Sequence, residues 1–195
     1  MIKPEVTVAC GHAAGYLLAQ AAEHPGSVGS LCLLSPTWRE PLPTMLKRRP
    51  DFLRRLPGLT DLPGIGAVFY RLNVNSPLIR MMGQGHVYES PQWLTETLLA
   101  KKLRVTEAPG ARHASFRFVT GSLDLFADRK SFIDTLNHIS HPVLVVTGRY
   151  IPGKSRQEMD ALCALPGVES AELPGENFHF MKSIRRKLPA LFSGF

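Results

Sequence analysis

No run in this sequence approaches the ~18 consecutive apolar residues that a bilayer span requires, so no transmembrane helix is expected. Cysteine is scarce. Cys10, Cys32 and Cys163 form an odd set inside apolar segments, which excludes a disulfide framework and reads as buried free thiols in a reducing, cytoplasmic compartment. None of them has metal-ligand spacing, and the sequence implies no metal and no other cofactor. The opening MIKPEVTVA has no basic leader running into a long apolar stretch, so no secretory signal is expected. Internal repeats and low-complexity tracts are absent. Aromatic residues make up only 8% of the chain and do not interleave with its basic clusters.

What is abundant is positive charge. The 195 residues carry 23 Lys and Arg against 16 Asp and Glu, a formal net charge of +7. The basic residues lie in short clusters, among them Lys47-Arg48-Arg49, Arg54-Arg55 and Arg185-Arg186-Lys187. With no RNA-binding aromatic motif and no zinc finger, these clusters read as solvated helix faces, and no specific nucleic-acid partner is expected. A weak attraction to anionic surfaces or substrates is in keeping with the charge.

The pattern of apolar residues divides the chain. Val6–Cys10 and Val28–Leu34 read as short buried strands around a helix at Tyr16–Glu23, which ends at His24-Pro25-Gly26. This is a βαβ unit. From Thr37 onward prolines and glycines recur, with helical segments between them at Met45–Leu56, Gly66–Leu72 and Pro91–Leu103. Strand signals return with PVLVVT at Pro142–Thr147 and GVESAEL at Gly167–Leu173, between helices at Asp128–Asn137 and Ser155–Leu165. The segment Ala114–Leu123 and the basic tail Phe180–Phe192 also read as helical. The expected fold is α/β: a parallel sheet of about four strands flanked by helices, formed by residues 1–36 and 114–195. Residues 37–113 make a helical lid or cap insertion.

Three stretches carry a resemblance. GHAAG (Gly11 to Gly15) and its helix, PVLVVTGRYIP (Pro142 to Pro152), and VESAELPGENFHF (Val168 to Phe180) resemble the elbow, acid strand and histidine loop of the α/β-hydrolase superfamily, in its C-terminal half. The resemblance implies an incomplete α/β-hydrolase fold. In that family the elbow reads G-x-S-x-G on a strained strand-to-helix turn. Gly11, His12, Ala14 and Gly15 keep its outline here, but Ala13 occupies the nucleophile position. The acid position is Ile151. The histidine that matches the family is His179, one residue beyond the usual register. The Ala14 N–H would be the remaining oxyanion donor. Further runs, Pro36-Thr37-Trp38-Arg39 and Pro152 to Leu162, resemble a serine-free branch associated with photosynthetic organisms. That branch implies a plastid as the second expectation for location.

Other candidates are Trp38 and Arg39, placed past a strand end where an indole beside a guanidinium would clamp an anionic ligand, or pack the lid on the sheet. Glu40 reads as a solvated loop carboxylate, and His138 with His141 as surface histidines. The expected function is that of a hydrolase-like protein without a Ser-His-Asp triad: a non-catalytic binding or interaction protein, or a relic. Its ligand would be small and apolar or acyl-like, in a pocket near His12, Ala13, Trp38 and His179. The alternative is an ester- or acyl-type hydrolase using non-standard residues, with His179 as base. Because only five residues precede the first strand, either a missing N-terminal segment or self-association is expected to cover that apolar edge.

Overall fold

In the computed structural model, residues 5–82, 92, 94–148, 151 and 153–173 are described. In chain order the elements are β1 (Val6–Cys10), α1 (Ala13–Glu23), a 3₁₀ turn (Pro25–Ser27) and β2 (Ser30–Leu34). Six helices follow: α2 (Pro41–Leu46), α3 (Asp51–Asp61), α4 (Ile65–Asn73), α5 (Ser76–Met82), α6 (Glu96–Thr106) and α7 (Ala111–Val119). Then come α8 (Arg129–Asn137), β3 (Val143–Gly148), α9 (Gly153–Cys163) and β4 (Val168–Leu173). Among the described residues, one compact unit holds the chain up to Arg39 and from Asp124 onward, and a second holds Glu40–Leu123.

The first unit is a four-stranded, all-parallel sheet in the order β1-β2-β3-β4. Successive strand residues point to opposite faces, so each apolar run supplies both. Ala9, Leu31, Leu33, Val143 and Val145 meet Leu18 and Ala21 of α1, Phe132 and Leu136 of α8, and Leu162 of α9. Cys32, Leu34, Leu144 and Val146 gather on the opposite face with Cys10 and Leu173. All six residues of β3 are buried, which is why its apolar run is unbroken. Helix α1 stops where expected. The His24 N–H donates to Gln20 O at 2.8 Å, and Pro25 cannot continue the ladder. Asp128 and Ser131 form a capping box that starts α8.

The second unit is entirely helical among its described residues. The helix expected at Met45–Leu56 is two helices. Lys47 takes a left-handed conformation (φ 55°), and Pro50 holds its predecessor out of the helical region. Helix α3 then runs through Pro57, which the sequence reading takes as its limit. The Thr60 hydroxyl donates to Pro57 O at 2.7 Å. Helix α5 is not anticipated, yet Asn75 supplies a visible start signal, its Oδ1 accepting the Leu78 N–H at 3.0 Å. Gly66 is required by close approach, since a Cβ there would lie 2.3 Å from Thr60 O. Tyr70 ties α4 to α6 by donating to Thr106 O at 3.2 Å. Asp61 joins α3 to α7 through Arg117 (2.8 Å) and His113 (2.5 Å). The expected tail helix Phe180–Phe192 and His179 lie outside the described residues.

Candidate functional site

The turn after β1 leads from the edge strand into α1. Gly11 takes φ +57°, a left-handed conformation that glycine adopts without steric cost. Its N–H donates to Leu34 O at 2.8 Å, while its carbonyl accepts from Thr37 N–H and Ala14 N–H, both at 3.2 Å. The Ala14 N–H, read as an oxyanion donor, is therefore engaged within the turn. A Cβ at Gly11 would meet nothing within 4 Å. Ala13 is the first residue of α1 and is exposed, whereas Ala14 and Gly15 are buried. The left-handed backbone thus falls two residues before the position that the resemblance gives to a nucleophile.

His12 follows Gly11 and meets a partner that the sequence reading does not single out. Its Nδ1 lies 3.8 Å from Asp124 Oδ1, and the two side chains are only 11% and 2% exposed. Tyr16, one helical turn on, packs edge-on against the imidazole with ring centroids 5.4 Å apart. Asp124 is set by its neighbour Phe126, which is buried, packs on Phe132 with centroids 5.1 Å apart, and reaches Gly15. A signal was available: Asp124 is a lone carboxylate in the apolar run Leu123-Asp124-Leu125-Phe126. An imidazole beside a carboxylate is the kind of pair that can hold or move a proton. The same two atoms are of ligand type for a divalent ion.

Trp38 and Arg39 are brought together, and their polar groups meet a carboxylate of this chain. Trp38 Nε1–H donates to Glu158 Oε2 at 3.2 Å, and an Arg39 guanidinium N–H donates to Glu158 Oε1 at 3.4 Å. Arg129 Nε lies 3.1 Å from Glu158 Oε2, and the Arg39 guanidinium stacks 4.6 Å from the Trp38 ring centroid. Glu158 thus stands where an anionic ligand was expected, joining the residues after β2 to α9 and the start of α8.

Ile151, just beyond β3, is half-buried and has no ionisable group. His138 Nδ1 lies 2.5 Å from Asp134 O, and His141 Nε2 lies 2.9 Å from Pro25 O, so the two rings address different carbonyls. Glu40, expected in solvent, is 1% exposed at the start of α2. The three thiols are free, and burial pushes the Cys32 thiol up to about 11.

No family model matches the sequence, and no curated protein matches it. Solved structures do. The chain is similar to a serine hydrolase from the polyaromatic-hydrocarbon-degrading bacterium Cycloclasticus zankles (TM-score 0.60, 19% identity, 96% of this chain and 64% of that one). It is also similar to 2-hydroxy-6-oxo-6-phenylhexa-2,4-dienoate hydrolase from Rhodococcus sp. strain RHA1 (TM-score 0.58, 18% identity, 94% and 61%). A third is MGS-M2, an α/β-hydrolase enzyme from a deep-sea metagenome library of the Medee basin (TM-score 0.57, 16% identity, 97% and 63%). The architecture is that of an α/β-hydrolase fold, of which this chain holds a part. It spans less than two thirds of the length of each of these structures.

Proposed function

We propose that this chain is a binding protein built on part of an α/β-hydrolase fold, without ester hydrolysis through a serine triad. The observation that carries this reading is the turn after β1. Its left-handed position is Gly11, and Ala13 presents only a methyl group at the start of α1. Removal of the nucleophile alone lowers a serine hydrolase's rate by about 10⁶-fold. Ile151 at the acid position supports the same reading. The ligand is small and apolar or acyl-like, held near His12 at the carboxyl ends of the strands. Val8 on the edge strand β1 is 44% exposed, which supports coverage of that edge by a second copy or by further strands. The test is turnover of p-nitrophenyl esters together with labelling by a fluorophosphonate. Neither is expected, while a medium-chain fatty acid should raise the melting temperature. Turnover that disappears on substitution of Ala13 or His179 would overturn the reading.

One observation favours the alternative, an ester- or acyl-type hydrolase with non-standard residues. It is the sheltered His12–Asp124 pair. In that reading His12 takes a proton from an attacking water while Asp124 orients the ring and stabilises the imidazolium. Its signature would be turnover lost in His12→Gln, with a shifted pH–rate profile in Asp124→Asn.

A further inference from the structure

The helical unit leaves a large apolar surface uncovered. Along α4, Ile65, Val68 and Leu72 recur at helical spacing and are 66%, 61% and 71% exposed, while Gly66 and Tyr70 on the opposite side are buried. Leu62, in the turn that precedes α4, adds a fourth exposed aliphatic at 43%. An aliphatic face this exposed marks a contact surface. The stretch of chain that carries it is basic. Between Met45 and Leu72 there are six Lys and Arg and only two acidic residues, Asp51 and Asp61. Asp61 is already held by Arg117 and His113. Arg54, Arg55 and Arg71 are exposed, Arg71 one turn after Val68 and beside Leu72.

We propose that this face of the helical unit docks on an anionic lipid surface. The aliphatic side chains of α4 and of the preceding turn enter the acyl boundary, and the arginines meet lipid phosphates, their stems lying along the apolar surface. Charge decides between lipid and a second copy. Two such faces, each with an excess of arginine, repel one another, whereas an anionic leaflet attracts each basic residue. The attachment is peripheral. Among the described residues no helix is long and apolar enough to cross a membrane.

The experiment is co-sedimentation of the full chain with vesicles of equimolar phosphatidylcholine and phosphatidylglycerol, against vesicles of phosphatidylcholine alone. Binding to the anionic vesicles that weakens with added salt is expected. The double variant Arg54→Gln/Arg55→Gln should lower partitioning by roughly 30-fold. Ile65→Glu/Val68→Glu should abolish it, with far-UV circular dichroism unchanged because both positions are exposed. Three outcomes would overturn the proposal: no binding to either vesicle, equal binding to both, or unchanged partitioning of the arginine variant. Sedimentation velocity without lipid supplies a fourth. A dimer that becomes a monomer on Ile65→Glu/Val68→Glu would assign the face to self-association instead. None of these substitutions touches His12 or Ala13, so the result is independent of the ligand reading above.

Discussion

The sheet unit and the helical unit use their apolar residues in opposite ways. Of the 24 buried hydrophobic residues among those described, 20 belong to the sheet unit, most of them in the core between the sheet and α1, α8 and α9. Of the 15 large hydrophobics left exposed among the described residues, 12 belong to the helical unit, whose described interior includes Leu53, Tyr70 and Leu99. One region buries most of its large apolar side chains, the edge at Val8 aside. The other holds its helices through polar ties, Asp61 to Arg117 and Tyr70 to Thr106, and leaves much of its apolar surface exposed.

The contrast can be broken most sharply by truncation. Leu33→Ala in β2 is expected to destabilise by about 3–4 kcal/mol, and Leu99→Ala in α6 by about 2 kcal/mol, in denaturant titrations followed at both units. An equal loss at Leu99 would show that the helical unit has a core as tightly packed as the sheet's. Next in size, Glu158→Ala strands the Trp38 N–H and two guanidinium groups. A loss of about 2 kcal/mol is expected, below that of a fully buried pair because Arg129 is half exposed.

A pair of glycines sharpens the comparison at about 1 kcal/mol, with opposite signs. Gly11→Ala should destabilise, because its φ of +57° is left-handed. Gly58→Ala, in the middle of α3 with open space around it, should stabilise. Melting temperatures moving in the same direction would contradict the account of one of them. The smallest effect is a pH dependence. Hydrogen bonds from Arg117 first, and then His113, hold the Asp61 carboxyl below its ordinary pKa. Its contribution is therefore present above the unfolded-state value and is lost as pH falls through the folded one. Acid unfolding of the helical unit should begin at a higher pH in the wild type than loss of the sheet. In Asp61→Asn that acid limb should flatten, as read by hydrogen exchange in α3 and α7.

The sheet was legible because buried strands announce themselves. VTVAC, SLCLL and VLVVTG are unbroken apolar or β-branched runs, and their observed ends fall within two residues of those expected. The helical unit was less legible because proline has two meanings. Pro50 stands in extended backbone just before α3 begins, whereas Pro57 sits inside that helix. At the site, spacing located the turn, but only backbone geometry placed its left-handed residue at Gly11. His12 was visible as a member of the elbow, but its partner Asp124 arrives from the far side of the helical insertion. Local patterns carry no information about such a pairing. Glu158 belongs to the same class. Its run was noticed, while its meeting with Trp38 across 120 residues was not.

The insertion also sets a timetable. Leu31 of β2 pairs with Val143 of β3, and every residue of the helical unit lies between them. On a ribosome adding roughly 5–20 residues per second, β1 and β2 wait roughly 5–20 seconds before β3 exists. During that interval β2 has an open apolar flank, and the six helices α2–α7 emerge beside it. The β2 flank is therefore open to unwanted association for as long as the helical insertion is being made, while its buried strand pair is only half present.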